Sequence, residues 1–320
     1  MEHLASWGFV VASPDHAGNS QNDPAGITIP FTVFDRPKDV SFVIDTMLSL
    51  PHVEEFHLQD SAVDQGGRVG VLGHSYGGLT SLLVAPDGPW SDDRVKAIMP
   101  IAPAVDFERD DFLSKINVPM LVIGGVNDTV TPVDPNNVKA FRETNGLPKW
   151  NLVVNDAGHN SFADLCWIYD TLVSLLKDED TVHSLMGGGS IEQGKYLMAG
   201  SLCETFEVTQ TILGYYAVAF FYTVLSLGDS DHDNKESIIA KKCMAEQATM
   251  FHLATFEFSD NSNVSEAEPV QSQTPEPIPN ITEGETKEMS TSSSAAFSIK
   301  VTEVVQLFAS CLIVCVAVVL

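Results

Sequence analysis

The pentapeptide Gly73-His74-Ser75-Tyr76-Gly77 constrains the fold of this chain more than any other feature. It follows the β-branched run Arg68-Val-Gly-Val-Leu and precedes an apolar stretch at residues 79–85. A GxSxG motif between a strand and a helix forms so sharp a turn that the serine takes a strained backbone conformation. The sequence therefore predicts that Ser75 lies exposed at the carboxyl end of a strand, as a candidate nucleophile.

A serine hydroxyl needs a base that removes its proton and a carboxylate that orients the base. Downstream, the apolar run Val-Pro-Met-Leu-Val-Ile-Gly-Gly is followed by a loop that carries Asp128. The next strand-like run, at residues 150–155, is followed by His159. Because the carboxyl ends of parallel strands gather functional groups, we predict Asp128 as the acid and His159 as the base. The order serine, acid, histidine is that of the α/β-hydrolase fold.

Other residues compete for these roles. Asp106, Asp134 and Asp156 are alternative acids, although each also fits a turn or a helix cap. Among the other histidines, His74 is expected to pack beside the serine turn, and His16 to line the rim of a pocket.

Acyl transfer also requires hydrogen-bond donors aimed at the developing oxyanion. The backbone N–H of Tyr76 is the predicted first donor. The second normally comes from a loop after the third strand of the fold, upstream of the amphipathic helix and strand on which Met1 opens. We therefore expect an N-terminally incomplete domain that lacks its first strands.

Several segments together carry a resemblance to a known family. They are LASWGFVVASPDHAGN, RPKDVSFVIDTML, RVGVLGHSYGG, VKAIMPIAPA, VPMLVIGGVNDTVTP and DAGHNSFADLC. Over residues 3–228 the chain resembles the dienelactone-hydrolase-like and platelet-activating-factor acetylhydrolase-like branch of the α/β hydrolases. It is more loosely similar to bacterial polyester hydrolases and cutinases.

The resemblance implies an α/β-hydrolase fold, a mostly parallel sheet with helices on both faces. It implies Ser75 as nucleophile, Asp128 as acid and His159 as base, with no cofactor. The expected activity is that of a serine carboxylic-ester hydrolase, acting on acetylated phospholipids or other short-acyl lipophilic esters. The alternative is a membrane-tethered binding protein that keeps this fold without catalysis, or an inactive fragment.

Composition divides the 320 residues into three zones: a catalytic domain at 1–228, an acidic Ser/Thr/Pro-rich linker at 229–296 and an apolar segment at 297–320. The linker is too poor in large apolar side chains to offset its ordering entropy, so we predict a disordered stalk. The formal net charge of −26 disfavours nucleic acid as a partner. Five scattered cysteines provide neither a disulfide scaffold nor a zinc-ligand spacing, so no metal is expected. The oligomeric state stays open.

Residues 304–320 contain no charge, and as a helix they would span roughly 26 Å. Small residues at 293–295 precede them, which is the layout of a GPI-attachment signal. We expect either such a signal or a single C-terminal membrane helix, which would hold the domain at a membrane, on the extracellular face. The sequons at Asn263 and Asn280 fit a glycoprotein there.

Two features remain open in the folded zone. The uncharged run at residues 211–227 is long enough for a membrane span, but its Tyr, Thr and Gly content favours a buried core helix. Cys166 and Cys203 would pair only if the chain is exported.

Overall fold

A computed structural model describes residues 1–18, 32–49, 68–105, 112–186, 189–199, 203–225, 244, 254–260 and 316–319. Within them the strands form one mixed sheet. The strands are β1 (Val11–Ala12), β2 (Val69–His74), β3 (Val95–Ile101), β4 (Met120–Gly125), β5 (Lys149–Val154), β6 (Ala254–Ser259) and β7 (Val316–Val319). The helices are α1 (Glu2–Ser6), α2 (Arg36–Ser49), α3 (Tyr76–Val84), α4 (Lys139–Glu143), α5 (Leu165–Leu176), α6 (Glu179–Met186), α7 (Ile191–Ala199) and α8 (Phe206–Leu225).

The sheet has seven strands in the order β1-β7-β2-β3-β4-β5-β6. Strands β2 to β5 are parallel, whereas β6 and β7 run antiparallel to their neighbours. The parallel strands are almost entirely buried, and their near-continuous apolar sequence reflects helices on both faces. The predicted fold class, a mostly parallel α/β-hydrolase sheet, is confirmed.

Two apolar clusters cover the faces of the sheet. On one face, α8 packs Ile212, Phe220 and Phe221 against residues such as Leu121 and Leu152. The other face is covered by α2 and α3, whose buried residues there are Val40, Ile44, Leu79, Leu82, Leu83 and Val84. The serine turn is therefore built on a strand, β2, that is covered by helices on both faces of the sheet.

Helix α8 includes most of the apolar run for which a core helix was favoured. Among the described residues, it is the one helix long and apolar enough to cross a membrane, with half of its most apolar window buried in the protein. Phe220 and Phe221 are fully buried against the sheet. The core-helix interpretation therefore accounts for these residues.

Residues 254–259, which lie inside the predicted linker at 229–296, instead form edge strand β6. The sequence Ala-Thr-Phe-Glu-Phe-Ser alternates with the two-residue period of a strand, and the ring of Phe258 stacks on Trp150 at 5.3 Å. Met244, also inside the predicted linker, is buried. A strand of only six residues was obscured by its polar surroundings in the sequence.

Residues 316–319, which lie at the end of the predicted C-terminal apolar helix, instead form strand β7. This Val-Ala-Val-Val segment is rich in β-branched residues, and it pairs antiparallel with both β1 and β2. A segment without charges suits the interior of a sheet as well as a membrane. The other residues of the predicted helix, 304–315 and 320, lie outside the described residues, as do the sequons at Asn263 and Asn280.

Candidate active site

Ser75 lies on the sharp turn between β2 and α3. Its φ of +57° and ψ of −119° lie in a region that L-residues rarely occupy. The turn is held in place by the end of β3 and the segment that follows it. The N–H of Ser75 donates to the carbonyl of Ile101, the last residue of β3, at 2.8 Å, and the carbonyl of Ser75 accepts from the N–H of Ala104 at 3.3 Å. A Cβ at Gly78 would lie 2.9 Å from the Cα of Pro103, so this close approach requires glycine.

The structure brings the three predicted side chains together. His159 Nε2 lies 2.9 Å from Ser75 Oγ, and His159 Nδ1 lies 2.8 Å from Asp128 Oδ2. His159 and Asp128 are buried, with 6% and 4% of their surfaces exposed. The hydroxyl, the imidazole and the carboxylate form one continuous hydrogen-bonded line at the carboxyl ends of β2, β4 and β5.

Asp128 is surrounded by donors on both oxygens. Its Oδ1 accepts from the backbone N–H groups of Val130 at 2.8 Å and Thr131 at 2.7 Å, and its Oδ2 accepts from the Thr131 hydroxyl at 2.8 Å as well as from His159. Burial raises the pKa of the Asp128 carboxyl, but the hydrogen bonds from His159 and Thr131 outweigh it and hold the pKa below 3.8. Asp128 is therefore an ionised acid at neutral pH.

The loop that carries His159 is fastened on both sides. The N–H of Gly158 donates to Ser161 Oγ at 3.0 Å, and Gln210 Nε2 on α8 donates to the carbonyl of Ser161 at 3.0 Å. Thr205 Oγ1 donates to the carbonyl of Asp156 at 2.8 Å. The segment at residues 203–210 thus supports the backbone before and after the histidine.

Cys166 and Cys203 form a disulfide with Cα atoms 5.2 Å apart. The sequence left this pairing open. The bond joins the first turn of α5, just beyond His159, to the segment that carries Thr205 and Gln210.

The alternative residues lie elsewhere. Asp134 starts the π-helical turn Asp134–Val138, Asp156 lies in the turn after β5, and Asp106 is outside the described residues. His16 is buried, with Nδ1 2.7 Å from Asp39 Oδ2. Burial, together with the positive charge of Arg36, lowers the pKa of His16 to about 4.

Tyr76, the candidate oxyanion donor, is the first residue of α3. Its backbone N–H therefore lies at a helix N-terminus beside Ser75, where the helix dipole favours negative charge. Behind it, the fully buried Arg36 places its guanidinium 5.2 Å from the centre of the Tyr76 ring and donates to Thr80 Oγ1 at 3.0 Å.

Sequence reasoning missed Thr131 and Arg36. A threonine three residues after a loop aspartate is a weak signal, because that spacing is common in turns. Arg36 stands near the start of a helix, where an arginine is ordinarily a surface residue.

Among the residues that the structure describes, no group of three or more His, Cys, Asp and Glu side chains could hold a metal ion. The described polar groups of the site are instead engaged with one another. What the arrangement offers chemically is a hydroxyl with an adjacent base, and a base with an adjacent anion.

The comparison with known families agrees with this geometry. The model of the family described as PET hydrolase-like matches residues 2–184, a range that contains Ser75, Asp128 and His159. No curated protein matches the chain. Since the family model covers more than half of the 320 residues, the chain belongs to the PET hydrolase-like family of α/β hydrolases, which places it among the ester hydrolases.

Proposed function

We propose that this protein hydrolyses carboxylic esters through a covalent acyl-enzyme formed on Ser75. The observation that carries the proposal is the unbroken line of hydrogen bonds from Ser75 Oγ through His159 to Asp128, with distances of 2.9 and 2.8 Å. A non-catalytic protein of the same fold would not need these three side chains to be hydrogen-bonded to one another.

In the proposed reaction, Ser75 Oγ attacks the ester carbonyl carbon as His159 Nε2 takes the hydroxyl proton. The negative charge that develops on the carbonyl oxygen is stabilised by the backbone N–H of Tyr76 at the start of α3. The tetrahedral intermediate collapses when His159 returns the proton to the departing alcohol. Water, activated by His159, then attacks the acyl-enzyme and releases the acid.

The proposed substrates are short-acyl lipophilic esters, acetylated phospholipids among them. The resemblance of residues 3–228 to dienelactone hydrolases and platelet-activating-factor acetylhydrolases supports this class. The loop that carries Asp128 also supports this substrate class. Val126 and Val130, on either side of Asp128, are 55% and 57% exposed and offer apolar surface near the site. Polyesters are the competing class, because the family's description names PET.

A fluorophosphonate probe tests the reaction directly, because it reacts with activated serines. We expect the full-length chain to be labelled and Ser75→Ala to abolish the label. Ser174→Ala, which changes an exposed serine on α5, is the matched control and should label like the wild type. A wild-type chain that takes no label would favour the binding protein instead.

Substrate class is tested by comparing kcat/KM for p-nitrophenyl acetate, butyrate and octanoate with release from a 2-acetyl phospholipid, a dienelactone and a polyester film. Hydrolysis of the short-acyl esters and the acetylated phospholipid above that of the other substrates supports the proposal. Faster release from the polyester film contradicts it.

Attachment to a membrane through the C-terminal segment is a further part of the proposal. It rests on the uncharged residues 304–320, and the same residues supply β7, so the last four described positions can serve either the sheet or a membrane anchor. Detergent partitioning of the protein made in eukaryotic cells, before and after a GPI-specific phospholipase, distinguishes the cases. Release by the phospholipase indicates a GPI anchor, resistance in the detergent phase indicates a helix, and recovery in the aqueous phase refutes both.

A further inference from the structure

We infer that Thr131 is a positioning residue for the His159–Asp128 pair, an inference that rests on the proposed function. Its hydroxyl oxygen lies 2.8 Å from Asp128 Oδ2, 3.1 Å from His159 Nδ1 and 3.1 Å from the carbonyl oxygen of Ala102. Thr131 is buried, with 5% of its surface exposed. One hydroxyl thus contacts the acid, the base and the segment behind the nucleophile.

The hydrogen-bonding capacity of a hydroxyl determines what these contacts do. Thr131 Oγ1 has one hydrogen and two lone pairs. The hydrogen is donated to Asp128 Oδ2 or to the Ala102 carbonyl, because both are acceptors only. A lone pair is then left facing His159 Nδ1, which favours the tautomer with its proton on Nδ1.

That tautomer is the one the reaction needs. When Nδ1 carries the proton, Nε2 presents its lone pair to Ser75 Oγ and can accept the serine proton. The Thr131 hydroxyl therefore supports Asp128 in selecting the reactive form of the base. When the hydroxyl hydrogen is donated to Asp128 Oδ2, it makes the fourth hydrogen bond to the carboxylate, which helps to keep Asp128 ionised and fixed.

The contact with Ala102 extends the link to the nucleophile. Ala102 has a φ of +43°, an unusual value for a residue other than glycine, and its N–H donates to the carbonyl of Ile123 at 2.7 Å. The preceding residue, Ile101, accepts the hydrogen bond from the N–H of Ser75 at 2.8 Å. Thr131 consequently connects the loop that holds the acid to the same short segment that holds the serine turn.

The test compares Thr131→Val, which keeps the shape but removes the hydroxyl, with Thr131→Ser, which keeps the hydroxyl. For Thr131→Val we expect kcat to fall about tenfold, equal to about 1.4 kcal/mol of activation free energy, with KM changed less than twofold. Thr131→Ser should retain most of the wild-type kcat. Thr129→Val, an exposed threonine in the same loop, is the matched control and should leave kcat unchanged.

Thermal unfolding of each variant distinguishes positioning from support of the fold. A kcat of Thr131→Val equal to that of the wild type overturns the inference, and so does an equal fall in Thr131→Ser, which would assign the effect to packing. If Thr131→Val does not fold, Thr131→Ala replaces it with the same expected fall. A wild-type chain without esterase activity or probe label overturns the proposed function and this inference together, whereas an active wild type with an unaffected Thr131→Val overturns this inference alone.

Discussion

His74 Nε2 donates a hydrogen bond to the backbone carbonyl of His159 at 2.9 Å, and the two rings lie with their centroids 4.7 Å apart. Burial, and then the neighbouring His159 ring, lowers the pKa of His74 to about 3. The His74 ring is therefore neutral at the pH at which an esterase would work. His74, which precedes Ser75 in the sequence, therefore helps to fix the position of the His159 backbone.

Replacing His74 by Phe keeps an aromatic ring but removes the donor to the His159 carbonyl. Leaving a buried carbonyl without its partner costs about 1–3 kcal/mol, so we expect the free energy of unfolding in urea to fall by that amount. The kcat for p-nitrophenyl acetate should fall as well, because the base is less firmly held. His74→Gln, which can present an amide donor, should recover part of both losses. An unfolding free energy unchanged in His74→Phe would show that the hydrogen bond contributes nothing.

The two neutral histidines, His16 and His74, also determine how the stability of the protein responds to acid. In the unfolded chain, histidine takes up a proton near pH 6.5, whereas burial lowers the folded-state pKa of His74 to about 3 and, with the charge of Arg36, that of His16 to about 4. Since the unfolded state binds more protons below pH 6.5, stability falls as the pH falls. At pH 5 each histidine should lower the unfolding free energy by about 2 kcal/mol relative to pH 7.5.

Urea unfolding at several pH values between 5 and 7.5 measures this slope. In His74→Phe the free energy of unfolding should depend less steeply on pH, because one fewer histidine takes up a proton on unfolding. Asp128 acts at lower pH, because its pKa is depressed below 3.8 and its contribution is lost only as the pH falls through that depressed value. A free energy of unfolding that does not change between pH 5 and 7.5 contradicts the assignment of both histidines as neutral in the folded protein.

The sequence was most informative where the chemistry is local. The serine turn needs a strand, a GxSxG motif and a helix in immediate succession, so Ser75 and Tyr76 were recognisable from adjacent residues. Asp128 and His159 were found because each follows an apolar run at the carboxyl end of a strand. The contacts of Thr131 and Arg36 depend on segments that only the folded chain brings together, and no local pattern marked them.

The two strands that the sequence did not predict were missed for the same physical reason. Strands β6 and β7 are short and lie in segments whose composition suggested a stalk and a membrane helix. Their pairing partners, β5 for one and β1 and β2 for the other, are distant in sequence. Composition indicates whether a segment has enough apolar side chains to fold, but it does not show whether the segment can pair with a strand that is distant in the sequence.

The disulfide between Cys166 and Cys203 should contribute to stability. The two cysteines are 37 residues apart, and closing a loop of that length stabilises a protein by about 3–4 kcal/mol in the chain-entropy account. We therefore expect the Cys166→Ser/Cys203→Ser double variant to unfold at lower urea concentration. Reducing agent should shift the wild type in the same direction and leave the double variant unchanged. Mass spectrometry that finds both thiols free in protein made by the secretory pathway would contradict the pairing.

Gly125, the last residue of β4, lies directly against the backbone carbonyl of Ala157, where a Cβ would overlap the carbonyl oxygen. Asp128 donates its N–H to the carbonyl of Gly125 at 3.1 Å, and Asn127 donates to that of Ala157 at 3.0 Å, so this contact sets the spacing between the acid loop and the base loop. Gly125→Ala should therefore lower the unfolding free energy by about 1–3 kcal/mol and lower kcat at least tenfold, because the two loops are pushed apart. The matched control is Gly70→Ala on β2, where the added methyl meets the ring of Phe221 far from the loops. It should lose stability but keep the kcat of the folded fraction, and equal losses of kcat in both variants would refute the assigned role of the Gly125 contact.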